Sequence, residues 1–288
     1  MRKKVSLFSV INVVILLMVV VVTLYPFLYM AAISLSDSNA VMKGEVTFLP
    51  KGLNFDTYKI VLADKRILSS YANTILYTVT FTALALFVTS LGAYALAKKH
   101  MPFHRGFTLM IVFTMFFSGG MIPTFLVVKE LGMVDTIWGM ILPGAVSTWN
   151  LLIMRTFFSG LPAELEESGR MDGLNDFGVF LRIVLPLSQA IFATIGLFYA
   201  VSMWNNFQLP LLYLRNPDMF PLQVVLRNIV LAGQLNSAEA TSIGGDQLLV
   251  EESLKYATIM VATVPILLLY PFLQKYFVRG VMIGAIKG

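Results

Sequence analysis

The sequence predicts an all-α membrane protein with six transmembrane helices, and three observations lead there. Of the 288 residues, 57% are hydrophobic and only 13% charged, where soluble domains carry roughly 45–50% apolar and about 25% charged residues. Charge-free runs of about 18 residues or more recur along the chain, and ~20 apolar residues cross about 30 Å of hydrocarbon. The two-residue alternation of a transmembrane β-barrel is missing, so the spans are helices that satisfy their own backbone in lipid. A mean hydropathy of +0.78 over 32.0 kDa cannot be hidden in one core. That excludes a soluble enzyme, a disordered chain and a disulfide-stapled secreted domain. Cysteine is absent, which removes thiolate metal sites and cysteine nucleophiles.

The first run, Val5 to Ser36, has no Asp, Glu, Lys or Arg. It is too long for a signal-peptide core and lacks a clear small-residue cleavage site, so it reads as a retained span. Five more follow: Ile67 to Ala97, Gly106 to Val128, Ile137 to Met154, Ile183 to Leu214 and Tyr256 to Gln274. Pro26, Pro123, Pro143 and Pro265 fall inside spans, where neighbouring helices or water satisfy freed carbonyls.

Orientation follows from the basic residues. With the N-terminus inside, the inner segments hold Arg2, Lys3, Lys4, Lys98, Lys99, Arg105, Arg155, Arg170, Arg182, Lys275, Arg279 and Lys287, more than half of the 21 basic residues. Against them stand only Glu164, Glu166, Glu167, Asp172 and Asp176. This surplus predicts an N-in, C-in topology, and it accounts for the net charge of +5 without nucleic acid. Two outer segments, about 37–65 and 215–255, exceed what a turn needs. The second carries Gly233, Gly244 and Gly245 and reads as a short helix, a flexible tip and a return, a solvated loop on composition alone.

The inner segment 161–186 is the most informative stretch. Pro162 suits a first helical turn, and Glu164, Glu166 and Glu167 favour the positive end of its dipole. Gly173 sits where that helix must stop, and Asn175 or Asp176 can cap a second one. Phe177, Phe180, Leu181 and Val184 then recur at three-to-four spacing. Two short amphipathic helices with nearly a right-angle break therefore lie on the cytoplasmic face. The acidic first helix disfavours anionic lipid and suits a protein partner.

This segment resembles the EAA loop of permease subunits of binding-protein-dependent ABC importers: EAA, three residues, Gly, nine residues, Ile, one residue, Leu-Pro. Glu167, Gly173, Ile183, Leu185 and Pro186 fall on those positions in register, while Ser168 and Gly169 replace the two alanines. Leu96-Ala97-Lys98 with Pro102 to Gly106 is similar to the basic turn between spans two and three of sugar permeases. The stretches Phe117 to Pro123 and Leu142-Pro143 through Asn150 and Arg155 to Phe158 look like an oligosaccharide subgroup, and Gly284 to Gly288 resembles the MalG C-terminus.

What the resemblance implies is a MalG-like subunit with the type I ABC importer permease fold, in a bacterial cytoplasmic membrane. Residues 1–69 would form an N-terminal span and first outer loop, and 70–288 the importer transmembrane domain. Its partners would be a MalF-like second permease, two cytoplasmic ATPase subunits and an extracytoplasmic sugar-binding protein. The resemblance assigns ATPase coupling to Glu167, Ser168, Gly169, Asp172, Gly173, Ile183, Leu185 and Pro186, with the Glu167 carboxylate meeting a basic residue of the ATPase. It assigns binding-protein contact to the outer loop with Gly233, Gly244 and Gly245. The chain lacks a GxxxxGK[ST] phosphate loop, so no cofactor is expected in it; ATP and Mg belong to the partner ATPases.

Polar and aromatic residues inside spans are the candidates for the sugar path: Ser118, Thr148, Trp149, Asn150, Trp204, Asn205, Asn206 and Gln208. Sugars are held by aromatic faces and amide hydrogen bonds, although Asn and Ser also join helices and Trp also anchors at interfaces. His100 and His104 are four apart but lack an HExxH setting and a nearby acid, so they read as a basic turn rather than a metal site. A membrane-embedded enzyme would need clustered ionisable groups, and the spans are nearly free of them. An ion channel would show a filter segment. The alternative within the same class is an importer permease for another small solute, such as amino acids.

Overall fold

The computed structural model describes residues 7–239 and 253–268, and every regular element within them is helical. α1 (Leu7–Ser34) and α4 (Lys65–Ala97) are each long and apolar enough to cross a membrane alone. Between them lie α2 (Ser38–Met42) and α3 (Asp56–Ala63). The chain continues as α5 (His104–Phe116), α6 (Met121–Glu130), α7 (Ile137–Ile141), α8 (Thr148–Phe158), α9 (Ala163–Met171), α10 (Asp176–Val179), α11 (Leu185–Leu187), α12 (Gln189–Trp204), α13 (Gln208–Tyr213), α14 (Leu222–Glu239) and α15 (Ser253–Leu268). Residues 7–68 with the described part of 225–266 form one compact unit, and residues 69–224 form another.

The middle spans depart from the straight runs that hydropathy suggests. The run over Gly106–Val128 is two helices, α5 and α6, meeting at 112°. The break falls at Phe117–Gly120, where Gly120 adopts φ 88, a left-handed backbone that costs glycine nothing, and Pro123 falls in the first turn of the next helix, where no backbone N–H is needed. The run Ile137–Met154 bends by 54° beyond the turn holding Pro143. The run Ile183–Leu214 is divided at Ser188 by an 85° bend, so Ile183 belongs to the element before the span, and α13 follows as a separate helix. Of the sixth run, residues 256–268 are helical within α15 and the rest lies outside the described residues.

In the first unit, α1 exposes nearly all of its apolar length and buries only Ala32, Ile33 and Ser34 in its last turn. A helix apolar all round needs lipid or another protein along its sides. Its buried end is held by Ser34, whose Oγ lies 2.7 Å from the Tyr58 hydroxyl, and by Ser36, whose Oγ accepts the Lys51 N–H at 3.0 Å. Ala32, Ile33, Val41 and Val46 pack there with Tyr29 and Tyr256. The segment 37–65 is therefore folded onto the end of α1.

The second unit is organised by α4. Tyr77, Phe81, Ala85, Thr89 and Ala93 recur every fourth residue and are all buried, the ridge that packs into the grooves of neighbouring helices. The ridge meets α12, where Phe81 and Tyr199 rings lie 5.7 Å apart edge to face. On another side, Gly92 lets Leu151 of α8 approach: a Cβ there would sit 3.3 Å from its Cδ1.

One polar node sits inside this packing. The Tyr199 hydroxyl lies 2.7 Å from Thr89 Oγ1 and accepts the Ser147 N–H at 3.0 Å, joining α4, α12 and the start of α8. Tyr199→Phe leaves that N–H without its acceptor, so it is expected to lower stability by about 1–3 kcal/mol. Thermal unfolding in detergent measures this, and an unchanged midpoint would show that the node carries no stability.

Candidate functional site

The hairpin over 161–186 is built as its residue types demand. α9 starts after Pro162, carries Glu164 and Glu166 in its first turn and ends at Asp172. Gly173 then adopts φ 81, while Gly173 N–H bonds Arg170 O and Leu174 N–H bonds Gly169 O, a glycine stop of the kind that closes helices. Asn175 Oδ1 caps α10 by accepting the Gly178 N–H at 2.8 Å. Beyond α10 the turn widens into a π segment, Phe180–Val184, just ahead of Pro186, which has no N–H to return to the carbonyl four residues back.

Gly169 is the close-approach point of the hairpin. A Cβ there would lie 2.5 Å from Ile183 Cδ1 and 3.3 Å from Val179 Cγ2. Gly169 and Ile183 thus pack the two arms together, and Arg170 ties them at the surface through Asp176 at 2.8 Å. Of the other candidates, Glu167, Ser168, Asp172, Leu185 and Pro186 are exposed. Glu167 makes no ion pair among the described residues, whereas neighbouring Glu166 pairs with Lys98 at the end of α4. The expected apolar stripe is corrected: Phe180 and Val184 are buried, but Phe177 and Leu181 are exposed, as is Met171. The pairs 177/181 and 180/184 are each four residues apart, and only the second faces the core.

The turn after α4 gathers three helix ends. Arg155 Nε donates to Leu96 O at 3.1 Å, and His104 Nε2 lies 3.0 Å from the same oxygen. His104 meets Arg155 at one end of α5, and Thr114 meets Thr148 (3.2 Å between hydroxyls) at the other. α5 and α8 therefore run antiparallel.

Three of the eight path candidates lie at or near the break between α5 and α6. Ser118 lies in the break, Thr148 meets Thr114 near the end of α5, and Gln208 Nε2 donates to Met121 Sδ at 3.8 Å at the start of α6, while Trp149 is exposed beside Thr148 in sequence. Asn150 is buried in α8. Trp204 packs on Tyr71 with ring centroids 6.5 Å apart, and its Nε1 is buried without a partner among the described residues. Asn205 and Asn206 are spent on backbone: Asn205 Nδ2 donates to Val201 O, and Asn206 Oδ1 accepts the Leu209 N–H.

Asp135 makes a clip that no sequence pattern announced. It sits at φ 61, its N–H bonds Tyr213 O at 2.7 Å, and its Oδ1 accepts the N–H groups of Arg215 and Asn216 at 2.9 and 3.0 Å. The Asn216 and then the Arg215 N–H groups hold this carboxyl below the usual carboxylate range. A depressed folded pKa contributes stability present above the unfolded value and lost as pH falls through the folded one. Protection of the 213–216 amides, taken relative to their intrinsic exchange rates, is therefore expected to fall only in acid, and Asp135→Asn to abolish that step; the same acid transition in the variant would refute the assignment. Gly233 lies inside α14 rather than in a flexible tip, and Gly244 and Gly245 lie outside the described residues.

Residues 102–283, more than half of the chain, match the family described as binding-protein-dependent transport system inner membrane component. The chain belongs to this family. It is 41% identical over 273 residues to the polygalacturonan/rhamnogalacturonan transport system permease protein YtcP of Bacillus subtilis, covering 95% of this chain and 96% of the relative. It is 43% identical over 281 residues to protein LplC of the same organism, covering 98% and 95%. Among solved structures, a bacterial ABC transporter involved in importing the acidic polysaccharide alginate superimposes with a TM-score of 0.86 at 35% identity, covering 96% of this chain and 99% of that one. The fold is that of type I ABC importer permeases. The chain is an importer permease subunit and not an enzyme, hydrolysis in such systems belonging to separate ATPases. Family members work with a second permease, ATPases and a substrate-binding protein, and are inner membrane components.

Proposed function

We propose that this permease carries oligosaccharides bearing uronic acids across a bacterial cytoplasmic membrane, delivered by an extracytoplasmic binding protein. The observation that carries this reading is the pair of full-length likenesses, to a polygalacturonan/rhamnogalacturonan permease and to an alginate importer, both handling chains of acidic sugars. The chain supports it physically: no Asp or Glu occurs between Lys65 and Lys129, 183 and 214 or 256 and 274, so these runs hold no fixed negative charge to repel a carboxylate.

In this reading six spans place both termini inside, with 1–69 as an N-terminal span and loop and 70–288 as the transporting domain. A second permease of the MalF type and two ATPases holding ATP and Mg complete the complex. Exposed Glu167, with Ser168 and Asp172, meets the ATPase. The break at 117–120, flanked by Thr148, Trp149 and Gln208, lines the path, and the outer segment 215–255 meets the binding protein.

The test is ATP hydrolysis by the reconstituted complex with its binding protein, challenged with oligogalacturonides, neutral oligosaccharides or amino acids. Oligogalacturonides are expected to stimulate it most. Equal stimulation by neutral sugars would remove the acidic preference, and stimulation by amino acids alone would replace the substrate class.

A further inference from the structure

α9 is nine residues long, too short to hold its place by its own backbone bonds, so whatever it packs against decides where a force on it goes. Two sets of contacts hold it. Gly169 against Ile183 and Val179, with Arg170 paired to Asp176, ties it to the arm leading into α12. The other tie is Glu166 to Lys98, one residue past the end of α4. Both side chains of that pair are mostly out of water, 14% exposed for Lys98 and 21% for Glu166, unlike the exposed Arg170–Asp176 pair.

Lys98 is held from beneath as well. Its ammonium lies 4.3 Å from the centroid of the Tyr94 ring, close enough for a cation–π contact. Tyr94 packs against Phe180 at 5.2 Å and Phe158 at 6.4 Å. The last turn of α4 therefore meets α9 through charge and the second arm through an aromatic ring. Tyr94 directly follows Ala93, the last residue of the buried every-fourth ridge.

We infer that Lys98 is a positioning residue for transport: by pairing with Glu166 it clamps α9 to α4, so that motion imposed on α9 moves the second span as well as the fifth. The same pair decides which acid faces outward. Glu166 is consumed inside the chain, and Glu167 is left for a partner. This rests on the proposed docking of an ATPase at α9.

The test compares three variants in the intact complex, each checked for monodispersity. Lys98→Met keeps the aliphatic stem over Tyr94 and removes the charge. Glu166→Gln removes the opposite charge, and the double variant Lys98→Glu/Glu166→Lys exchanges them. Two readouts are taken from one preparation: ATPase co-purification, and substrate transported per ATP hydrolysed. Both single variants are expected to keep the ATPase but to lose about tenfold in transport per ATP, within the range of coupling between linked sites. The exchange should recover most of it. Unchanged transport per ATP in both single variants would overturn the inference. Loss of co-purification in them would mean that the pair only shapes the docking surface, and failure of the exchange to rescue would mean that the contact is not the operative one; either overturns it too. Failure of the docking reading itself shows separately, as normal co-purification and transport in Glu167→Lys.

Discussion

Glu167→Lys is expected to give a permease that inserts and folds normally but loses its ATPase, and with it transport. Glu167 is exposed on α9 and makes no ion pair among the described residues, so its replacement breaks nothing inside the chain. A charge-assisted contact across a partly buried interface contributes about 1.5–3 kcal/mol. Reversal adds like-charge repulsion, and the two effects together lower affinity by roughly a hundredfold or more. Glu164→Lys adds the same charge to the same exposed helix, away from the motif register, and should cost far less. Glu166→Lys is not a usable control, because Glu166 has an internal partner in Lys98. Co-purification of ATPase with each variant decides the matter. Equal, mild losses at 164 and 167 would make α9 a surface helix with no docking role.

Gly139→Val is expected to prevent accumulation of folded protein, for reasons far from the motif. A Cβ at Gly139 would lie 2.5 Å from the Met133 carbonyl oxygen and 3.6 Å from Tyr213 Cβ. The first of these is backbone, and it is pinned. Met133 N–H bonds Val128 O, its carbonyl accepts the Thr136 hydroxyl at 2.8 Å, and Asp135 is clipped to 213–216. Overpacking a well-filled site costs about 1–3 kcal/mol for small additions, so Gly139→Ala should already lower the unfolding temperature. Valine adds two further methyl groups against the same wall. Gly106→Ala is the control, since nothing lies within 4 Å of a Cβ there and alanine favours a helix over glycine by about 0.5–1 kcal/mol. Fluorescence-detected gel filtration after heating reads all three. A Gly139→Val protein as stable as Gly106→Ala would mean that the turn 131–136 yields freely.

The C-terminal end of α1 and both ends of α4 were legible to within two residues, because a charge-free run ends where charged side chains must reach water. The hairpin was legible too, down to the stop at Gly173 and the cap at Asn175, since both residue types serve those positions by local chemistry. What escaped was set by backbone geometry or by distance along the chain. Hydropathy continues through Phe117–Gly120 and Ser188 while the helix axis turns; Gly119-Gly120 ahead of Pro123 was the available signal for the first break. Phe177 and Leu181 face outward because the apolar stripe is wider than the face that the core covers, and periodicity does not say which part of a stripe is covered. Lys98 and Glu166 lie far apart in sequence, and nothing in either neighbourhood announces the other. Asp135 reads as one polar residue in a short outer turn; only the folded chain shows it accepting two backbone N–H groups.

The most direct test of coupling through α9 uses the absence of cysteine from this chain. A single cysteine placed by Glu167→Cys, and separately by Lys129→Cys near the end of α6, is treated with a short bifunctional reagent in the assembled complex. Position 167 is expected to form a covalent adduct with the ATPase subunit, and position 129, which the proposed topology puts on the other side of the membrane, to form none. An ATPase adduct at 129, or its absence at 167 in a complex that still transports, would contradict the assignment of α9 as the docking element.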